Sequence, residues 1–214
     1  MYKGENGKKT LLLVNIIHMI KFYVCGDTTP PKRNCGYDAG VDFFVPNLTE
    51  RFVKDLTEAN KGHPYTWGLV GAPDPSDNDN EGVFIYVPPH SDILIPTYVK
   101  ALIPNNEVLM MTNKSSVATK HKLVVGADTI DSSYEGIIHV HLINSSNTMR
   151  FIGFGDKICQ GVPIVIDNEK IEVYYDESIE KFSEYKNTTT VEKFYEGHNS
   201  DRGEKGFGEG TGTT

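Results

Sequence analysis

The chain has 214 residues, 38% of them hydrophobic, which is enough for one domain with a sizeable core. A formal net charge of -8 and a pI near 5.4 exclude a protein whose main task is to grip nucleic-acid backbones, while leaving room for a local basic pocket that takes a small anion. Cys25, Cys35 and Cys159 form no CxxC pair and leave one thiol over in any disulfide scheme, which argues against zinc and for a reducing, cytoplasmic compartment.

At the N-terminus, Lys8 and Lys9 followed by LLLVNIIHMI resemble the head of a signal peptide. Asn15 and His18 interrupt the apolar run, no small-residue cleavage site follows, and the run is too short to span a bilayer. A strand fits better, no membrane association is expected, and residues 1–18 read as a dispensable extension or the product of an upstream start codon. Met19 opens a second strand-like segment, MIKFYVC. The polar loop TTPPKRN then delivers the chain to CGYDAGVDFFVPN, where Val41 to Val45 is short and β-prone. Asp42 lies among apolar residues there. A buried carboxylate needs hydrogen-bond donors or a nearby cation; an Asx turn is the structural alternative.

From Leu48 to Asn60 the apolar residues fall at helical spacing, with Thr49 as the cap. A loop rich in Pro, Gly, Asp and Asn follows and contains the only tryptophan, Trp67. From Val83 short β-patterned runs return: VFIYV, DILIPTYVKALIP and EVLMMTN, separated by Pro-Pro or Pro-Asn-Asn turns. Many short strands at close intervals predict an all-β barrel or sandwich.

Four further stretches carry chemistry. Lys114 to Lys120, KSSVATK, follows a strand, and Ser115 and Ser116 between cations make a cradle for phosphate oxygens, although a plain polar loop reads the same way. Val125 to Asn144 reads as a hairpin feeding a strand, with Asp131 and Tyr134 near its tip and alternation from Ile138 to Leu142. A carboxylate beside an aromatic ring can hold a small polar ligand and activate a water; a surface hairpin without chemistry is the bland alternative. GDKICQGVP turns and then enters an apolar strand, placing the Gln160 amide where it can donate to a phosphate. The tail from Ile166 to His198 has no long pattern, and either a strand or a short helix fits it. DRGEKGFGEGTGTT offers Arg202 as a fork for phosphate, Phe207 as a stacking face and glycines such as Gly208 that let the backbone lie close to a ligand. Taken alone, that last stretch reads as a free terminus.

In order, DAGVDFFVP, KSSVATK, GADTIDSSYEGIIHVHLIN, GDKICQG and RGEKGFGEGTG resemble the five motifs of the trimeric dUTP pyrophosphatases. The resemblance covers most of the chain from Met19, apart from two insertions. It implies an all-β, jelly-roll-like β-barrel over 19–165 with a helix-containing insertion at 48–89. It also implies an extended connection over 166–200, a mobile arm over 201–214, and a homotrimer whose active sites are shared between subunits. The implied reaction is magnesium-dependent hydrolysis of dUTP to dUMP and pyrophosphate. In it Asp131 resembles the base that deprotonates the attacking water, and Tyr134 the ring that packs on deoxyribose where a 2′-hydroxyl would clash. Lys114, Ser115, Ser116 and Gln160 are similar to the phosphate-holding residues, and Asp42 to the aspartate near the metal-bound waters. Asp128 falls in the hairpin that reads the base. Arg202, Phe207 and Gly208 match the arm that closes over a neighbouring site, the ring over the uracil. Mg2+ is the implied cofactor, held mostly by the triphosphate, and a virus-encoded chain would work in the host-cell cytoplasm.

The chain departs from the family pattern at several positions. Lys114 stands for arginine, so a bidentate contact becomes a point charge. Asp128 and Thr129 replace a glycine and an apolar residue, which keeps open a hydrolase of broader choice that accepts dTTP or a modified pyrimidine. Glu209 stands for serine, with one additional residue before Thr211, and the segments 48–89 and before Arg202 are longer than usual. The related dCTP deaminases look to a glutamate where this chain has His141 and to an arginine where it has Thr119, which argues against deamination. A regulatory module that meets a protein partner through 48–89 is the non-enzyme reading.

Overall fold

Short runs with period-two burial build the molecule. The computed structural model describes residues 19–62, 68–71, 83–167 and 172–197. The extension read at 1–18, Trp67, and Arg202, Phe207 and Gly208 of the arm lie outside the described residues. The first sheet joins β2 (Val41–Phe44), β12 (Lys157–Val165), β7 (Glu107–Asn113) and β9 (Thr129–Ile130) in that spatial order, all antiparallel. The second runs β5 (Asp92–Pro96), β10 (His139–Asn144), β8 (Leu123–Val125). A third runs β11 (Arg150–Gly153), β4 (Val83–Val87), β3 (Gly68–Gly71), and β1 (Lys21–Val24) pairs with β6 (Val99–Leu102).

Inward residues from these sheets share one core. Phe43, Leu109, Met111 and Cys159 come from the first sheet, Ile93, Ile95, Val140 and Leu142 from the second, and Ile85, Val87 and Ile152 from the third. Strand β10 shows the alternation: Val140, Leu142 and Asn144 are buried, while His139, His141 and Ile143 are only partly so. Gly161 lets β12 lie tight on the core, because a Cβ there would stand 2.7 Å from the Phe43 ring. This is the all-β, jelly-roll-like architecture the motifs imply.

Helix α1 (Glu50–Ala59) forms where the spacing predicts it, and the Thr49 hydroxyl accepts the Phe52 N–H at 3.1 Å as its cap. Its apolar face is not spare: Phe52 and Leu56 are fully buried in the core. At its end, the Asn60 side chain donates to the Leu94 carbonyl and accepts the Leu94 N–H, both at 2.9 Å, docking the helix on β5 as a strand would. The loop expected after α1 contains β3, paired with β4. The single run expected from Asp92 to Pro104 breaks instead into β5 and β6 at Tyr98, whose φ of 58° turns the chain. The Tyr98 ring is buried under Arg51, and its hydroxyl donates to Asp55 Oδ2 at 2.9 Å.

The chain divides into two compact units after Ile166. In the second, β13 (Tyr175–Asp176) pairs in parallel with β14 (Thr188–Thr189), and α3 (Val191–Phe194) follows, capped by Thr190. None of its described side chains is buried. Among the described residues no helix is long and apolar enough to cross a membrane.

Replacing Tyr98 by Phe removes one hydrogen bond while keeping the buried ring, and should lower unfolding free energy by about 1 kcal/mol in a denaturant titration. An unchanged midpoint would show that the corner is held by packing alone.

Candidate active site

The polar centre of the first sheet is Asp42, only 1% exposed and directly followed in its strand by two buried phenylalanines, Phe43 and Phe44. Register places it opposite Gln160 on β12, and Gln160 opposite Thr112 on β7. Lys157 and Gln160 are three residues apart and would face opposite sides of a regular strand. A register shift between Lys157 and Cys159 changes this: Ile158 and Cys159 are both buried, and the residues flanking them turn to the same side. Lys114, directly after β7, completes the set.

Lys114 Nζ donates to Asp42 Oδ1 at 3.0 Å and Gln160 Nε2 to the same oxygen at 3.3 Å. Lys157 Nζ lies 2.9 Å from Oδ2 as an ion pair outside hydrogen-bond angles. Burial is the largest influence on the Asp42 carboxyl and pushes its pKa up. Lys157, Lys114 and Gln160 together outweigh burial and hold it below the ordinary 3.8. One carboxylate between two ammonium groups leaves the cluster positive, which suits an anion. Beside it a cavity of about 260 Å3 is lined by the polar residues Lys114, Ser116, His121, Asp156 and Lys157 and by apolar residues including Val117, Phe151 and Ile158.

KSSVATK is not a loop. It forms the short helix α2 (Ser115–Lys120), with Val117 anchored in the core and Ser115 and Ser116 exposed in its first turn. A bend at a strand-to-helix junction therefore replaces the expected strand-to-loop junction.

The hairpin is pinned residue by residue. Val125 N–H donates to Asn113 Oδ1 at 2.7 Å, and Gly126 N–H to the His141 carbonyl at 3.0 Å. Ala127 N–H donates to His141 Nδ1 at 3.2 Å, and Met111 N–H to the Asp128 carbonyl at 2.6 Å. Strands β8 and β10 pair as a hairpin does, but the segment between them detours to give β9, which joins β7. Asp131 follows β9 and is exposed, and among the described residues its carboxylate has no hydrogen bond or ion pair. Tyr134 N–H closes a turn onto the Asp131 carbonyl at 3.1 Å. The Tyr134 hydroxyl donates to Ile137 O at 2.8 Å, and its ring covers Gly136, where a Cβ would collide with it. With the hydroxyl occupied, what this 41% exposed ring offers a ligand is its face.

The structure thus brings Asp42, Lys114 and Gln160 together, with Ser116 on the adjoining cavity. Among the described residues no hydrogen bond joins Asp131 or Tyr134 to that cluster. Sequence reasoning missed Lys157, although Asp42's need for a cation and the GDK turn carried the signal. It also missed Asn113 and the role of His141, which depend on register.

Because the folded-state pKa of Asp42 lies below its unfolded value, the ionised group stabilises the fold above about pH 4, and this contribution is lost as pH falls through the lowered value. Asp42→Asn leaves two ammonium groups without their counter-charge. We expect a loss of about 3 kcal/mol at pH 7, with the gap to the unsubstituted protein closing below pH 4. A gap independent of pH in denaturation experiments would contradict the assignment.

The dUTPase family model matches residues 84–190, half of the chain, beginning after Asp42 and ending before Arg202. The deoxyuridine 5'-triphosphate nucleotidohydrolase of Oryza sativa subsp. japonica is 32% identical over 90 residues, covering 42% of this chain and 53% of the relative. That of Wolbachia pipientis is 38% identical over 96 residues, covering 42% and 63%. The chain spans about half the length of the curated relatives it matches. Among solved structures, a dUTPase of phage 80alpha superposes with a TM-score of 0.57 at 19% identity, covering 90% of this chain and 99% of that one. The native EIAV dUTPase gives 0.50 at 22%, covering 75% and 99%. These structures share the fold, the family model spans the hairpin and the second strand of the Asp42 sheet, and the chain belongs to the dUTPase family.

Proposed function

We propose that the chain is a subunit of a homotrimer that hydrolyses dUTP to dUMP and pyrophosphate, keeping uracil out of DNA and supplying the thymidylate precursor. The observation that carries this reading is the exposed Asp131 carboxylate, without a partner among the described residues, at the end of a hairpin whose backbone is fixed at four successive residues. A general base must be ionised, accessible and held still. Asp131 takes the proton of a water as it attacks the α-phosphorus; the bond to the bridging oxygen breaks and pyrophosphate leaves. Tyr134 offers its face to the deoxyribose. The positive cluster of Lys114, Lys157 and Asp42, with Gln160, Ser115 and Ser116, receives the phosphates and offsets growing negative charge.

On this reading Asp131 and that cluster, which share no hydrogen bond among the described residues, come together from different subunits. Arg202, Phe207 and Gly208 would close it from a third chain, excluding bulk water. Three free thiols fit a reducing cytoplasm.

The donor set does not fit a protein-held magnesium. Among the described residues no group of three His, Cys, Asp or Glu could hold a metal, and Asp42 already faces two cations of its own chain. Asp42 would meet the ion only through a water. Magnesium carried by the triphosphate's own oxygens would supply charge neutralisation there.

A broader pyrimidine choice is favoured by one feature, the Asp128 carboxylate in the base-reading turn, which accepts the Thr129 hydroxyl at 3.0 Å. The partner surface expected at 48–89 finds no support in α1, whose apolar face is filled by the core.

Asp131→Asn tests the reading. Turnover of dUTP should fall about a thousandfold while nucleotide affinity, measured by calorimetry, stays within about threefold. Substantial hydrolysis by the variant would remove Asp131 from its role.

A further inference from the structure

Strand β10 turns His141 outward, where a packed or merely solvated imidazole would need no particular partners. Its two nitrogens have separate ones. Nδ1 faces the Ala127 N–H at 3.2 Å, and Nε2 lies 2.8 Å from Asp92 Oδ2 on the neighbouring strand. A backbone N–H can only donate, so Nδ1 must hold a lone pair and the ring proton sits on Nε2, donated to the carboxylate. A single neutral tautomer satisfies both contacts, and Asp92 selects it. The register explains the reach: Leu94 pairs with His141 and Asp92 with Ile143, so Asp92 and His141 are diagonal neighbours on one face. Gly126 admits the ring, since a Cβ at that position would collide with Nδ1.

The consequence falls on the turn. Gly126 N–H and the Asp128 carbonyl are held by backbone groups, which no substitution removes. Val125 depends on Asn113, and Ala127 on His141. Ala127 is thus the member of the Gly126–Asp128 turn whose position rests on a side chain that a second side chain must orient. Asp131 lies beyond β9, which is anchored separately on β7.

We infer that His141 and Asp92 are positioning residues that fix the turn at Gly126 to Asp128 and thereby set affinity for the pyrimidine base, leaving the chemical step to Asp131. The inference rests on the proposed function for what the turn contacts. It predicts a separation of kinetic constants: the turn's aim enters binding of the base, not proton transfer to Asp131.

The test uses the full-length protein. His141→Leu removes the acceptor, and His141→Asn keeps an oxygen near the place of Nδ1. The expected result is a KM for dUTP raised about tenfold in the Leu variant with kcat within about threefold, and recovery of most of that loss in the Asn variant. Asp92→Leu should fall between them. The imidazole 15N shifts of unsubstituted protein should show Nδ1 unprotonated and Nε2 protonated at neutral pH, and Ala127 amide exchange should accelerate in the Leu variant. An unchanged KM, equal loss in the Leu and Asn variants, or an Nδ1-protonated ring would overturn the inference. If unsubstituted protein turns over no dUTP, the functional reading fails and the claim on base affinity falls with it. The 15N shifts and Ala127 exchange then report separately on whether the dyad holds the turn.

Discussion

A carboxylate buried in a β-sheet is unstable unless cations or donors meet it, and Asp42 makes that demand at the centre of this fold. Three strands answer it. The β2–β12 register brings Gln160, the irregularity after Lys157 brings that residue's ammonium group from the same strand, and the exit of β7 brings Lys114. The bulge in β12 and the departure of the chain from β7 into α2 both serve this cluster. Its positive balance then becomes available to an anion beside it, in a chain that is acidic as a whole.

The second constraint is rigidity at the hairpin. Between β8 and β10 the chain could have been a loose loop. Instead Asn113, His141 and the Met111 amide hold successive residues, and β9 attaches the segment to the first sheet. Asp131 and Tyr134 follow immediately, so their placement inherits the order of that sheet. On the proposed reading, the phosphate cluster and the hairpin are two prepared halves of a site that other copies of the chain complete.

Much of this was legible in the residues. Thr49 capping a helix with Phe52 and Leu56 on one face, the alternation along β10, and the all-β class follow from local patterning that the fold keeps. What local pattern could not show depends on pairing between distant strands. KSSVATK reads as polar loop because its only core anchor is Val117, and a six-residue helix has too little periodicity to declare itself. The run from Asp92 to Pro104 reads as one strand because nothing nearby announces that Tyr98 will adopt a positive φ, which is fixed by its packing under Arg51 and its bond to Asp55. Lys157 stands in GDKICQG, yet its side is set by a register shift that no alternation rule anticipates. The partners of His141 likewise come from the β5 and β8 registers, which no local pattern announces.

On the proposed reading, this dUTPase-family chain hydrolyses dUTP through the fixed hairpin and the positive cluster. Pyrophosphate release by purified protein from dUTP, dTTP, dCTP and UTP, each with magnesium and with EDTA, tests it most directly. Strong turnover of dUTP with magnesium, little with EDTA, and rejection of UTP where its 2′-hydroxyl meets Tyr134 are the expected results. No turnover of any of the four, or UTP used as readily as dUTP, would contradict it.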